Sequence, residues 1–286
     1  MANTIGFGQA AVNNTIDYGQ GAIDNTINWG KSQTLSPSGE TNITGTGGTP
    51  PFSNTKSILL DGVDDYVDCG DNDNLSFGNG TTDSPFSIST WVKMTDATRF
   101  RIVFKADNTT GNNEYGFFCD ASDRINFILY DSKLSVSRGR YYNVGLISYQ
   151  GQWINLVATY DGQGGTNAQN GIKIYLNGTQ VDNVDVSTGT YTAMQNGGAP
   201  LEIGKFLTNF SSGLIDETAI FNAELSQSDV TAIYGGGNPS SLSSYSSLVS
   251  WWRCGDGDTA PILTDNKGSN DGTMTNFTTF STDVPT

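Results

Sequence analysis

An all-β fold, a jelly-roll sandwich preceded by an extended N-terminal segment, is what this sequence predicts, and three observations carry it. Strand-like runs recur at roughly ten-residue spacing from Ser57 to Phe221, the cadence of a sandwich or jelly roll. Glycine (35 residues), asparagine, threonine and serine abound while only 36% of the chain is hydrophobic, as many short strands joined by many turns require. The stretch Gly213-Leu-Ile-Asp-Glu-Thr-Ala-Ile-Phe221 would set Leu214, Asp216, Thr218 and Ile220 on one face of a strand and Ile215, Glu217, Ala219 and Phe221 on the other. Apolar groups on both faces suit a central strand.

In chain order, residues 1–31 hold a repeat of period 11: Asn3-Thr-Ile-Gly-Phe-Gly-Gln9, Asn14-Thr-Ile-Asp-Tyr-Gly-Gln20 and Asn25-Thr-Ile-Asn-Trp-Gly-Lys31. Each unit offers an isoleucine and, two residues on, an aromatic: Ile5 with Phe7, Ile16 with Tyr18, Ile27 with Trp29. In an extended segment both point to one side. An eleven-residue period also fits a right-handed coiled coil, but the glycine after each aromatic and the Thr-Ile pairs oppose a stable helix. So short a segment cannot build its own core and must find a partner elsewhere. Residues 32–56, rich in Gly, Pro, Ser and Thr, read as a linker.

The folded part is predicted to begin with an opening strand, Ser57-Ile-Leu-Leu-Asp-Gly-Val-Asp-Asp-Tyr-Val67. Phe86–Lys93, Phe100–Lys105, Glu114–Cys119 and Arg124–Tyr130 follow as strands, Val136–Tyr142 is ambiguous, and Trp153–Tyr160 is strong. In Leu176-Asn-Gly-Thr-Gln-Val181 the Asn177-Gly178 pair predicts a type I′ hairpin turn. Pro200–Lys205 supplies the strand before the central one. Ser226 can cap a short helix carrying Val230, Ile233 and Tyr234, which Gly235 would end. Residues 57–235 thus form the jelly roll and 236–246 a second linker. Residues 247–286, with Trp251 and Trp252, are either a truncated second module or strands that pack back on the first. The second is preferred, because an isolated fragment of that size would leave its tryptophans without a core.

Charge and composition exclude several functions. A net charge of −15 repels nucleic acid and anionic membrane surfaces. No apolar run is long enough to cross a membrane, and Met1-Ala-Asn-Thr-Ile5 lacks the features of a signal peptide. The chain has no histidine, which removes the Ser-His-Asp triad and imidazole metal sites. Cys69, Cys119 and Cys254 have no zinc spacing and are expected as buried thiols.

The Gly213–Phe221 strand running into the Leu225-Ser226 to Tyr234 helix, together with Ser57–Val67, Phe86–Val92 and the pair Gln152–Tyr160 and Ile172–Gly178, resembles the laminin-G-like branch of the concanavalin A-like lectin and glucanase superfamily. The resemblance implies a concanavalin A-like jelly roll and, in many members, one calcium ion, whose ligands would fall on Asp61 or Asp65 and on Asp216. It implies glycan binding by exposed aromatics, for which Tyr115, Tyr141, Tyr142, Tyr149 and Tyr191 are candidates. Endoglucanases of the superfamily carry two glutamates on one strand; Glu202, Glu217 and Glu224 do not make such a pair. A lyase built on Arg140, Tyr141 and Tyr142 would have no histidine partner. No catalysis is expected.

The Asn- and Gly-rich repeat resembles the virion-anchoring ends of bacteriophage fibre and capsid-decoration proteins. That resemblance implies a virion-surface protein made in the host cytoplasm. Ile5, Phe7, Ile16, Tyr18, Ile27 and Trp29 would dock on a capsid or tail protein while the jelly roll meets a cell-surface glycan. A fibre would be a homotrimer, although no heptad repeat is present. The alternatives are a capsid-cementing protein without ligand and a secreted adhesin or glycoside hydrolase.

Overall fold

The structure, a computed structural model, describes residues 52–133 and 135–286. Ile5, Phe7, Ile16, Tyr18, Ile27 and Trp29 lie outside the described residues. The strand Ser212–Phe221 is buried from Gly213 onward and occupies the middle of an eight-stranded antiparallel sheet. Phe86–Met94 runs along one edge of it, from Gly213↔Met94 to Phe221↔Ser87. Two strands share the other edge: Ser57–Asp61 pairs its first half and Leu248–Trp252 its second.

Strict alternation places Ile215 and Ile220 on opposite faces, yet both lie in the core. The register explains it, since Asp216 faces Trp91 while Ala219 faces Ser89. The extra residue is a β-bulge, with Glu217 at φ +47°, and an inserted residue inverts the parity of everything after it.

The opening strand also departs from expectation. Instead of one run to Val67 it is two strands, Ser57–Asp61 and Tyr66–Asp68, which belong to different sheets. Asp61 Oδ1 accepts the Val63 amide at 2.7 Å, and Gly62 turns at φ +81°, where a Cβ would stand 2.9 Å from that of Ser212. Those two features turn the chain across the sandwich.

The second sheet has nine strands. Their order is Val184–Thr188, Val136–Tyr141, Ile125–Asp131, Tyr115–Cys119, Arg101–Lys105, Leu201–Ile203, Tyr66–Asp68, Gly272–Thr275 and Ile262–Leu263. Between the sheets lies one core, to which the first contributes Ile58, Ile88, Val92, Leu156, Ile174, Ile215 and Ile220, and the second Tyr115, Phe117, Ile125, Phe127, Leu129 and Leu201. The C-terminal residues feed both sheets: Leu248–Trp252 and Phe280–Ser281 enter the first, Ile262–Leu263 and Gly272–Thr275 the second.

The helix Gln227–Tyr234 starts at a capping box between Ser226 and Asp229 and stops at Gly235 in the left-handed conformation. Its Tyr234 ring stacks on Trp91 at 5.9 Å. Asn177 and Gly178 both have positive φ, +49° and +78°, as a type I′ turn demands. The three cysteines are free and buried.

Candidate functional site

Strand parity defines the face of the nine-stranded sheet that turns away from the core. Tyr115, Phe117 and Cys119, and Ile125, Phe127 and Leu129, are core residues, so Phe118, Asn126, Ile128 and Tyr130 point outward. Register aligns them across strands: Arg101 opposite Phe118, Phe118 opposite Asn126, and Asn126 opposite Tyr141. The next row holds Phe104, Gly116, Ile128 and Gly139. Glycine is required twice here, because a Cβ on Gly116 would run into the Phe104 ring and one on Gly139 into Ile128. Phe118, Tyr130 and Tyr141 remain half-exposed.

The hairpin Lys205–Phe206 and Asn209–Phe210 extends the aromatic surface. Phe206 stacks on Phe104 with centroids 4.3 Å apart and planes 10° apart, and the Phe118 ring is tilted against Phe104 at 5.1 Å. Lys205 Nζ sits 3.9 Å over the Tyr66 ring and 2.6 Å from Glu202. At the far end Arg124 lies 4.5 Å over Tyr141 and pairs with Asp120 at 2.7 Å.

Arg101 stands among these groups, 8% exposed, with its guanidinium 5.1 Å from the Phe118 ring and 5.7 Å from Phe104. A bulge positions it. The Ser211 hydroxyl accepts from the Arg101 amide and donates to the Arg101 carbonyl, each at 2.7 Å, holding the register shift between Arg101 and Val103. Nη1 donates to the Cys119 carbonyl at 3.4 Å, and Nε is buried without a partner. Burial holds the guanidinium below its usual pKa, and burial pushes the neighbouring Tyr130 phenol up to about 12.

The acidic residues expected to bind calcium separate into two places. Asp61 and Asp65 gather with Asp64 at the sheet-crossing turn, with one carboxylate oxygen of each within 4.8 Å of the others. Asp61 and Asp64 are exposed and Asp65 is buried. Asp65 accepts the Asp61 amide at 3.1 Å, and burial raises its pKa, with repulsion from Asp61 and Asp64 adding to the effect. This donor set of hard oxygens suits a divalent cation of the calcium type.

Asp216 is elsewhere, at the bulge where the two edge strands leave a gap. Its Oδ2 accepts Asn54 Nδ2 at 2.8 Å and its Oδ1 the Glu217 amide at 2.8 Å. Glu217, 3% exposed, receives Trp251 Nε1 at 2.6 Å and Arg253 Nε at 3.1 Å. Burial raises both carboxyls, Glu217 to about 7. The pair ties the central strand to its neighbours.

Among the tyrosines considered for sugar stacking, Tyr115 and Tyr191 are buried, and the Tyr191 hydroxyl donates to Asp83 at 2.8 Å. Tyr142 and Tyr149 pack against the core. Only Tyr141 of that set lies on the outward face described above. Arg140 is paired with Asp182 at 2.8 Å. A crevice of about 400 Å³ lies between the Ile172–Gln180 hairpin and the helix start, but its Lys173 and Glu224 neutralise each other at 2.6 Å. Sequence reading missed Arg101, Phe118, Asn126 and Tyr130. Gly116 beside the Phe117-Phe118 pair is the signal that could have marked an outer surface.

These features define a jelly-roll module with an aromatic outer sheet face. The family model of the laminin G type, described as the Concanavalin A-like lectin/glucanases superfamily, matches residues 61–231, and the chain belongs to that family. A comparison with curated proteins found no match. Among solved structures, the chain is similar to a candidate carbohydrate-binding protein from Bacteroides ovatus, with 14% identity over 86% of this chain and 68% of that one and a TM-score of 0.53. It also matches domain 4 of AbnA, an extracellular GH43 arabinanase from Geobacillus stearothermophilus solved with arabinotriose, at 20% identity over 67% of this chain and 84% of that one with a TM-score of 0.43. A SAP-like pentraxin from Limulus polyphemus matches at 12% identity over 63% and 82% with a TM-score of 0.41.

Proposed function

We propose that this chain is a non-catalytic glycan-binding module displayed on a bacteriophage virion, with residues 1–31 attaching it to a capsid or tail protein, as a homotrimer if it forms a fibre. The observation that carries the glycan reading is the outward sheet face, where half-exposed Phe118, Tyr130 and Tyr141 surround polar Asn126 and Arg101. Aromatic faces take the apolar side of a sugar ring while polar neighbours fix its hydroxyls. The family and the designation of the Bacteroides ovatus protein support the same reading. The buried pair Asp216 and Glu217 is committed to Asn54, Trp251 and Arg253, which favours binding over hydrolysis.

A glycan array with the full chain tests this. Phe118→Ala or Tyr130→Ala is expected to weaken a bound glycan about fivefold or more, roughly 1 kcal/mol per stacked ring. An array without specific signal favours the capsid-cementing alternative. The virion role rests on the repeat in residues 1–31, and a chain lacking them is expected to stop copurifying with particles.

Calcium, if it is the ion bound, would be held by Asp61, Asp64 and Asp65, supplying positive charge that relieves their mutual repulsion. Calcium at a hundredfold its dissociation constant is expected to stabilise the protein by about 2.7 kcal/mol, reversed by EDTA and abolished in Asp65→Asn. Melting that ignores both calcium and EDTA rejects the site.

A further inference from the structure

We propose that the side chains of Lys105 and Asp71 condense to an intramolecular amide, with Glu114 as the acid and base that moves the proton. The proposal is independent of the glycan-binding reading.

It starts from a lysine that the fold withholds from water. Lys105 ends the strand Arg101–Lys105 with its side chain fully buried. Its Nζ lies 2.6 Å from Asp71 Oδ1, 3.2 Å from Glu114 Oε1 and 2.8 Å from the Ala199 carbonyl. A buried ammonium is expensive even when paired. An amide in its place is neutral, and its one N–H still serves the Ala199 carbonyl.

The Glu114 carboxyl is arranged for proton transfer. It is fully buried, and its Oε1 accepts the Ser76 hydroxyl at 3.0 Å and the Gly197 amide at 3.1 Å. Its Oε2 is buried with no partner among the described residues. That lopsided set of donors suits an acid with its proton on Oε2 better than a carboxylate, which needs donors at both oxygens. Burial pushes the group up to about 7, so near neutral pH it can take a proton at one oxygen and give one from the other.

The step begins from the ion pair. Nζ gives one proton to the Asp71 carboxylate and, as a free amine, attacks Cγ. Glu114 takes a second proton from Nζ and returns its own to the departing oxygen. One N–C bond forms, one C–O bond breaks, and nothing is oxidised or reduced. Two Nζ hydrogens and one Asp71 oxygen leave as water, and the Asp71 side chain, 39% exposed, opens to solvent. Holding the reactants in contact is worth an effective concentration of roughly 10⁵–10⁸ M in well-oriented cases. Because the charged pair must first neutralise, the freshly folded chain carries the ion pair and the amide accumulates afterwards.

The bond would join the two sheets. Asp71 follows the strand Tyr66–Asp68, which Leu201–Ile203 separates from Arg101–Lys105 in the nine-stranded sheet. The ring closed between residues 71 and 105 also contains Phe86–Met94 of the other sheet. All three cysteines are free, so the amide would restrain the unfolded chain as a disulfide does, without depending on redox conditions.

The test is the intact mass of the full chain after folding and prolonged incubation at pH 7, followed by peptide mapping. Wild type is expected to be lighter than its sequence by one water, with the peptide holding Asp71 joined to the one holding Lys105 and no tryptic cut after Lys105. Asp71→Ala, which leaves the Lys105 and Glu114 pair in place, and Glu114→Gln should both keep their full sequence mass. Wild type at full sequence mass overturns the proposal, and that result needs no variant to fold. A lost water that maps to an Asp-Gly succinimide, to Glu114, or that persists in Asp71→Ala overturns it as well. An amide formed unchanged in Glu114→Gln overturns the role given to Glu114.

Discussion

A chain ending at Ser246 is expected not to fold. The deleted residues supply the partner for the second half of the central strand, Thr218↔Trp252 to Phe221↔Leu248, and two strands of the nine-stranded sheet. They also bury Trp251, Trp252, Leu248, Cys254, Leu263 and Met274, all at 5% exposure or less. Six such side chains at about 1.5–3 kcal/mol each amount to roughly 9–18 kcal/mol, comparable with the whole stability of a typical domain, about 5–15 kcal/mol. Glu217 would in addition lose its hydrogen bonds from Trp251 and Arg253. Circular dichroism during urea unfolding should show no cooperative transition for residues 1–246. A cooperative transition with a near-native slope would mean that residues 247–286 are an accessory to an independent fold.

The periodicities that survive into the structure are those set by neighbours in sequence. The central strand, the capping box at Ser226 and Asp229, and the Asn177-Gly178 turn depend on local geometry, and local chemistry announces them. What could not be read depends on register. The bulge at Glu217 inverts parity within a run that alternates regularly in sequence. The break after Asp61 sends one continuous-looking strand into two sheets.

The candidate site follows the same rule. Arg101, Phe118, Asn126 and Tyr141 come from four strands, and only pairing across them creates one row. Tyrosines look alike in sequence, yet Tyr115 and Tyr191 are core and Tyr130 and Tyr141 are not. The acidic turn was half legible. Asp61 and Asp65 lie four residues apart and meet Asp64, whereas Asp216 is held apart by the strand that separates it from Ser212, the partner of Asp61.

Replacing Lys105 should be among the most damaging single changes, and its effect should depend on pH. Lys105 is fully buried, as is Glu114, and its Nζ lies 3.2 Å from Glu114 Oε1, 2.6 Å from Asp71 Oδ1 and 2.8 Å from the Ala199 carbonyl. Lys105→Met leaves Glu114 as a buried charge without its cation, a loss of about 3–5 kcal/mol when one partner of a buried pair is removed. Burial already pushes Glu114 up from 4.5 to about 7 despite Lys105. A carboxyl raised in the folded state contributes its full stability below its unfolded pKa and loses it as pH climbs through the folded one. Wild type should therefore lose about 3 kcal/mol at this residue between pH 4.5 and pH 7, at roughly 1.4 kcal/mol per pH unit. Glu114→Gln, which cannot ionise, should lose none of it, so the variant gains on wild type as pH rises. Lys105→Met should be far more harmful at pH 8 than at pH 5, and Lys105→Met with Glu114→Gln should recover much of the difference at pH 8. Urea midpoints of the four proteins at pH 5, 6.5 and 8 measure this directly. If Lys105→Met costs the same at pH 5 as at pH 8, Glu114 is ionised throughout, and the pair is an ordinary ion pair with no titration in this range.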